Sequence, residues 1–593
     1  MPAGAARSRL AHPVSLASLV LVVWSIPWIV LGGSTVVSGT RYFFLADDPT
    51  ISMRYGRNLA HGLGLVWNAG ERVEGYSNFL WTAYMGLLHL LPLSNATTAL
   101  PVMLSNIALA ALGAVFAWKI ARRLDPDPRF SAIVVFAYAL NGDLFEWMIR
   151  GFETSLLATW LLAAFYLVWR DLDEGRARVS TFFVVTSMSL VRIDGMLLSG
   201  LLLLWILYGS RDRKRAVLLG ALALMVPLAH IAWRWSYYGY LLPNTAYLKM
   251  YAGGGRLKMG IRWTARFVAT YPVAIALLGV LLLRSRTLPM KVASIICVAF
   301  FAYVTYAGGD IFVGFRLLAP VVPLLVIVGL YAAWHMSGST SGGSIEERLG
   351  RLMATPAARW LAIVAGGSIF AIAAYAWQGL STQSSVKASA VNLVGAVGLA
   401  VAALGVAAAF REASGRVASN DRPAVGLARA AMVALVLGNM PLLFWSHRAP
   451  QPLSVSYPDN VRIGLFLHDH IEQGVTIADT WAGLPPYFSE RPSIDLLGKC
   501  DARIAHGPVA GDGLLPGHNK FDYDYALGEL KPAYVVAAFR LPVTDEDMRQ
   551  ASHGDLAFIG HLYFNETFRR HCLPHPEPME GLRTLFRCEW SEN

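Results

Sequence analysis

Long apolar runs alternate with short basic loops along most of this chain, and the alternation stops near residue 446. About 20 apolar residues cross a bilayer as a helix; fewer suffice where a helix is broken or lines a cavity. The pattern predicts spans at about 14–37, 99–118, 129–141, 154–169, 179–191, 195–209, 216–233, 271–283, 291–307, 317–335, 359–378, 390–410 and 428–446, thirteen in all. The first run follows Arg7 and Arg9 like a signal peptide, but the later spans make it an uncleaved anchor. With a cytoplasmic N-terminus, the inner loops are the basic ones: Lys119/Arg122/Arg123/Arg129, Arg170/Arg176/Arg178, Arg211/Arg213/Lys214/Arg215, Arg284/Arg286/Lys291, Arg348/Arg351/Arg359 and Arg411/Arg416/Arg422/Arg429. Residues 78–93, NFLWTAYMGLLHLLPL, are apolar enough to span, yet counting them would invert every later loop. They are therefore expected to lie on the outer face as a juxtamembrane helix. The odd span count then places residues 447–593 outside.

Composition agrees with a multi-pass membrane protein. Of 593 residues, 55% are hydrophobic and only 15% charged, with a mean hydropathy of +0.46. The net charge of +11 does not indicate a nucleic-acid partner, because its cations sit in loops between apolar runs. The expected organisation is a polytopic α-helical membrane domain, 1–446, whose first outer loop is 38–98, followed by an extracytoplasmic C-terminal domain, 447–593. That tail is charged and rich in Pro and Gly. It reads as helical at about 459–472 and extended at Val475–Ala478, Ser493–Leu497 and Ala533–Phe539, a small α/β domain with a partly parallel sheet and a candidate glycan-binding unit. Ser337–Ser344 is a Gly/Ser-rich linker. None of the four cysteines has zinc-type spacing, and Cys572 and Cys588 are expected to pair in an oxidising space.

Candidate chemistry falls on one side of the bilayer. Asp47 and Asp48 end span 1; Arg150 and Glu153 lie between spans 3 and 4; Arg192 and Asp194 separate two short spans; Asn244, Tyr247 and Lys249 open a long outer loop; Asp310 and Arg316 lie between spans 9 and 10. A carboxylate can take the proton of an acceptor hydroxyl. Cations can hold a phosphate as negative charge develops on it. The blander readings stand beside these. The Asp pair fits a helix cap or a salt bridge to Arg54 or Arg57; Glu71, Arg72 and Glu74 fit a loop-folding ion cluster; Arg192 and Asp194 fit mutual neutralisation; Lys249 and Arg316 fit interfacial cations. Asp48 precedes Pro49, which favours an extended, capping backbone, so Asp47 is the preferred base, with Glu71, Glu74 and Asp310 next in line.

Asp47–Asp48 after span 1, then Arg57–Asn58–Leu59, Gly62, Gly64, Asn68, Gly70–Glu71–Arg72–Val73–Glu74 and Trp81, resembles the first outer loop of GT-C membrane glycosyltransferases. Within them it is most similar to the terminal arabinofuranosyltransferase (AftB-like) group of actinobacterial cell-wall synthesis. RGFET at 150–154, LPNTAYLK at 242–249 and GGDIFVGFR at 308–316 resemble a wider bacterial GT-C set. The resemblance implies a GT-C fold, a polyprenyl-phosphate sugar donor such as decaprenyl-phosphoryl-arabinose, a cell-wall glycan acceptor, and a catalytic Asp at 47 or 48. The candidate substrate contacts are Arg57, Asn58, Glu71, Arg72, Glu74, Glu153, Arg192, Asp194, Asn244, Tyr247, Lys249, Asp310 and Arg316. One departure is Gly75–Tyr76–Ser77–Asn78, where the arabinosyl group has a Thr/Ser-rich stretch. No cofactor is required; a divalent metal would need Asp47, Asp48 and Asp310 to converge. The alternatives are transfer of mannose or aminoarabinose to lipid or protein, and, in another class, a flippase of lipid-linked sugars. A flippase should show paired repeats and midplane polar groups, and neither is evident.

Overall fold

The computed structural model describes residues 12–338, apart from 250–253, 286, 311 and 313, and residues 456–590, apart from 513–516, 578 and 580. The spans expected at 359–378, 390–410 and 428–446, and most of the Gly/Ser-rich linker, lie outside the described residues.

Helix α1 (Pro13–Leu31) ends at Gly32, short of the expected boundary. The residues beyond it form an antiparallel hairpin, β1 (Ser34–Val37) and β2 (Thr40–Phe43), in place of a last helical turn. Next come α2 (Asp47–Ala60) and α3 (Phe79–His89). At 11 residues α3 is too short to cross a bilayer. The bundle follows: α4 (Ala99–Leu124), α5 (Pro128–Ala139), α6 (Gly142–Ile149), α7 (Thr154–Asp173), α8 (Val179–Val191), α9 (Gly195–Gly209), α10 (Arg213–Tyr238), α11 (Asn244–Lys249), α12 (Gly254–Thr270), α13 (Pro272–Arg284), α14 (Leu288–Ala307) and α15 (Val322–Gly338). Helices α1, α4, α7, α10 and α14 are each long and apolar enough to cross a membrane. Counting the bent pairs α5–α6 and α12–α13 as single spans gives up to seven among the described residues, below the thirteen expected for the whole chain.

The breaks have local causes. Asn141 ends α5 and caps α6, its Oδ1 accepting the Leu144 N–H at 2.9 Å. Arg192 is extended between α8 and α9. Non-helical backbone at such depth is stable where protein or a cavity satisfies its polar groups. The lipid face is plainest on α10, where Val217, Leu218, Leu222, Met225 and Leu228 are exposed. One bundle end carries Arg123 paired with Asp173 and Asp125 bonded to Trp334. The other end carries the hairpin, α2 and the tail.

The tail starts with α16 (Tyr457–His470) and contains α17 (Leu484–Ser489). Its sheet has five strands, β3 (Ile477–Asp479), β4 (Ser493–Asp495), β5 (Tyr534–Val536), β6 (Cys572–Pro574) and β7 (Leu585–Cys588), in the order β4-β3-β5-β7-β6. The first three run parallel, and the β6–β7 side is antiparallel. Leu484, Tyr487 and Phe488 join the same apolar cluster as the bundle, so tail and bundle share one core.

Cys572 and Cys588 are directly opposite on β6 and β7 and form a disulfide, leaving Cys297 and Cys500 as buried thiols. Denatured, unreduced protein is expected to react with a thiol reagent at Cys297 and Cys500 alone. Labelling of Cys572 or Cys588 before reduction would rule the bridge out.

Candidate functional site

At the tail-covered end of the bundle lies a cavity of about 200 Å³. Its lining includes Asp48 and Ser52 from α2, Asn78 before α3, Glu153 before α7, and Arg192 and Asp194 from the α8–α9 break. Lys249 comes from the end of α11, Asp310 and Arg316 from the loop after α14, and Lys499 from the tail. Four cations thus face four carboxylates.

Arg316 is the hub. Its Nε and Nη2 donate to the two Asp310 oxygens at 2.8 and 3.0 Å, and its Nη1 donates to Asp48 Oδ2 at 2.6 Å. The rings of Phe152 and Phe312 lie 4.8 and 4.6 Å from its guanidinium carbon. The other Asp48 oxygen lies 3.4 Å from Lys499 Nζ. Burial pushes the Asp48 carboxyl up, but the charges of Lys499 and Arg316 outweigh it and hold it well below the usual carboxylate range. Burial lowers the Lys249 ammonium, with Asp310 and Asp48 opposing and Arg316 adding to the shift. Deeper in, Arg192 Nε donates to Asp194 Oδ1 at 3.0 Å and lies 3.6 Å from Glu153. Its buried Nη1 has no hydrogen-bond partner among the described residues. Glu153 in turn accepts from Asn78 Nδ2 at 2.8 Å.

Asp47 sits beside this network and faces the other way. Its Oδ1 accepts the Leu484 N–H of the tail at 2.9 Å, and its buried Oδ2 has no hydrogen-bond partner among the described residues. Contact is so close that a Cβ on Gly483 would lie 2.0 Å from the Asp47 carbonyl oxygen. Burial raises the Asp47 carboxyl to about 6, although Lys499 and the Leu484 N–H pull against it. The preference for Asp47 as base assumed an extended backbone at Asp48. Instead α2 begins at Asp47, and Pro49 occupies its first turn, where its missing N–H leaves no helical bond unmade. Both carboxylates gain from the positive end of that helix.

The structure therefore brings together Asp48, Glu153, Arg192, Asp194, Lys249, Asp310 and Arg316, and places the other sequence candidates elsewhere. Arg57 donates to the Tyr487 carbonyl and pairs with Glu490, and Asn58 donates to the Val66 and Trp67 carbonyls. Neither Arg54 nor Arg57 pairs with the Asp47–Asp48 step. Glu71 accepts from Asn68 at an exposed site, and Arg72 stacks over Tyr237. Glu74 is buried against Arg234 at 2.6 Å, and burial raises its carboxyl to about 7 despite that partner. Asn244 donates to tail carbonyls, and Tyr247 packs on His506. Lys499, Ser52 and Tyr303, which carry no sequence signal, also line the cavity, as does Asn78 from the stretch that departs from the arabinosyl pattern. Lys499 directly follows the tail stretch DTWAGLPPYFSERPSIDLLG, but nothing local ties it to a residue 451 positions earlier. Among the described residues no group of three metal-ligating side chains gathers. The Arg316 guanidinium bridges Asp48 and Asp310.

Two curated relatives are similar in sequence, both named terminal beta-(1->2)-arabinofuranosyltransferase. That of Mycobacterium tuberculosis is 28% identical over 373 residues, covering 55% of this chain and 58% of the relative. That of Corynebacterium glutamicum is 26% identical over 337 residues, covering 48% of each. The chain thus spans about half the length of the curated relatives it matches. A family model for a domain of unknown function (DUF8728) matches residues 452–573. Among solved structures, apo ArnT from Cupriavidus metallidurans aligns over 98% of both chains with a TM-score of 0.50 at 12% identity, a likeness of fold. The chain shares the fold of ArnT and is similar in sequence to two proteins named terminal beta-(1->2)-arabinofuranosyltransferase.

Proposed function

We propose that this chain is a membrane glycosyltransferase that moves a sugar, arabinofuranose first among candidates, from a polyprenyl phosphate to a glycan acceptor outside the cytoplasm. The observation that carries the proposal is Asp48 held by Arg316 in a charge-lined cavity at one end of an apolar bundle. A lipid tail can stay in the bilayer while its phosphate reaches Arg316 and Lys249. In the reaction an acceptor oxygen bonds to the anomeric carbon, the bond from that carbon to the phosphate oxygen breaks, and the acceptor proton passes to Asp48. The released polyprenyl phosphate carries its extra negative charge against the two cations.

Asp48 is a weak base while both of its cations are on it. A donor phosphate that draws Arg316 away removes much of that stabilisation, so basicity rises as the substrate arrives. The names of the two sequence relatives support arabinofuranose, and the alternation of basic loops supports an outward-facing cavity and tail.

With a polyprenyl-phosphate arabinose donor, Asp48→Asn is expected to lose about 10²–10⁴ of turnover while Asp47→Asn retains most of it. Turnover by Asp48→Asn near the parental rate would remove Asp48 as base. Asp47 makes a separate prediction. Its carboxyl titrates near 6 in the fold against 3.8 when free, so the folded state binds the extra proton between those values and is destabilised above them. Asp47→Asn should therefore raise stability at pH 7.5 by on the order of 2–3 kcal/mol, and the gain should vanish as pH falls from 6 toward 4. Unfolding in detergent across that range tests this; a pH-independent difference would refute the buried-carboxylate account. For orientation, a C-terminal reporter active only in the cytoplasm should stay silent, and a strong signal would reverse the topology.

A further inference from the structure

Lys499 reaches the cavity from a turn of the tail that is held on three sides. From within, Asp495 at the end of β4 accepts the Leu497 N–H at 3.0 Å with one oxygen and the Cys500 N–H at 2.7 Å with the other. From the membrane domain, Asn244 Nδ2 lies 2.8, 3.1 and 3.0 Å from the carbonyl oxygens of Gly498, Lys499 and Asp501. The Asn244 N–H is itself fixed by the Glu74 carbonyl at 2.9 Å. On the third side is Gly75, where a Cβ would lie 2.5 Å from Cys500 Sγ and 3.1 Å from the Lys499 carbonyl oxygen. A glycine at 75 lets the turn close on the first loop.

A lysine side chain is flexible, and ordering it costs up to about 2 kcal/mol. Fixing its backbone from three sides confines the ammonium to the cavity wall, where it lies 3.4 Å from Asp48 Oδ1. Arg316 approaches Asp48 at 2.6 Å but spends two of its nitrogens on Asp310, so Lys499 is the second cation on a carboxylate that faces the cavity. Lys499, Arg316 and Lys249 line one cavity, so an anion entering it meets these three cations on its wall.

We propose that the C-terminal domain completes the donor site: Lys499 binds the lipid-linked phosphate beside Arg316, and Asp495 and Asn244 act as positioning residues for it. This gives a role to the domain of unknown function matched at 452–573, and it rests on the lipid-phosphate reading above.

The test uses the full-length protein in detergent and binding of radiolabelled, sugar-free decaprenyl phosphate. Lys499→Ala is expected to weaken binding at least about tenfold, with Lys499→Arg recovering most of the loss. Asn244→Ala and Asp495→Asn should each weaken binding several-fold, and neither should weaken it further when Lys499 is already Ala, since both act through that side chain. Equal losses in the parent and Lys499→Ala backgrounds would overturn the positioning role. Should Asn244→Ala fail to fold, Asp495→Asn carries the same cycle. Parental binding by Lys499→Ala with weak binding by Arg316→Ala would overturn the inference and leave the lipid-phosphate reading standing. Failure of the parent to bind, or parental binding by both variants, would overturn that reading as well.

Discussion

The buried guanidinium of Arg54 joins the first loop to the tail at the end of the molecule that holds the cavity. Its Nε donates to the Trp67 carbonyl at 2.8 Å, and its Nη2 donates to Asn68 Oδ1 and the Arg491 carbonyl, each at 2.9 Å. Its Nη1 donates to the Pro486 carbonyl, and its plane lies 4.6 Å over the Trp67 ring. An Arg cannot shed its charge, and a buried cation left without acceptors costs about 3–5 kcal/mol. Half of these acceptors belong to the first loop and half to the tail. The loop folds with its charge satisfied only when the tail is docked. That constraint brings Leu484 onto Asp47 and Lys499 onto Asp48.

Docking of this kind divides the acidic pair into two tasks. One carboxylate is used up in the interface, and its neighbour, one residue on, turns into the cavity. Adjacent residues at a helix start project about 100° apart, so both cannot face one small space. The separation also divides their environments. Asp47 has lost water and gained little charge, so its carboxyl rises; Asp48 has lost water and gained two cations, so its carboxyl falls. A raised carboxyl titration, taken alone, would point to Asp47 as the base. Access favours Asp48 in the proposed reaction, because a general base must touch the proton it removes and, of the pair, only Asp48 lines the cavity.

Much of the frame was legible in the sequence because it depends on local hydropathy. Helices α4 and α10, each 26 residues long, contain the apolar runs 99–118 and 216–233 and extend past them into charged residues such as Arg122 and Arg234. The end of α1 was harder: Ser34–Val37 is apolar enough to extend a span, and only pairing with Thr40–Phe43 turns it into a strand. The site was legible where polar residues interrupt apolar runs, as at Arg192–Asp194 and Asp310–Arg316. It was not legible where the partner is a backbone carbonyl far along the chain. Arg57, Asn58 and Asn244 look like substrate ligands in sequence because their acceptors, the carbonyls of Tyr487, Val66 and Gly498, carry no residue-specific mark. Lys499 is missed for the converse reason, since a lone lysine in a polar tail has no periodicity to betray its contact.

The charges that define the cavity do not choose a sugar. Arg316, Lys249 and Lys499 would meet any phosphate, whatever glycosyl group it carries. Discrimination among sugars needs neutral donors and acceptors that are left unpaired by the wrong hydroxyl pattern. The cavity offers Ser52, Asn78, Tyr303 and Thr245 for this. Some of their capacity is already engaged: Ser52 Oγ donates to Asn78 Oδ1 at 2.9 Å, Thr82 donates to the same oxygen at 3.0 Å, and Asn78 Nδ2 donates to Glu153. This relay fixes the Asn78 amide and leaves the second hydrogen of its Nδ2 and the lone pairs of Ser52 Oγ for a ligand. Its centre, Asn78, lies in Gly75–Tyr76–Ser77–Asn78, the stretch that departs from the arabinosyl pattern. On the proposed reading, phosphate recognition and sugar recognition fall to different parts of the cavity, and sequence change in the second would alter the transferred sugar without disturbing the first.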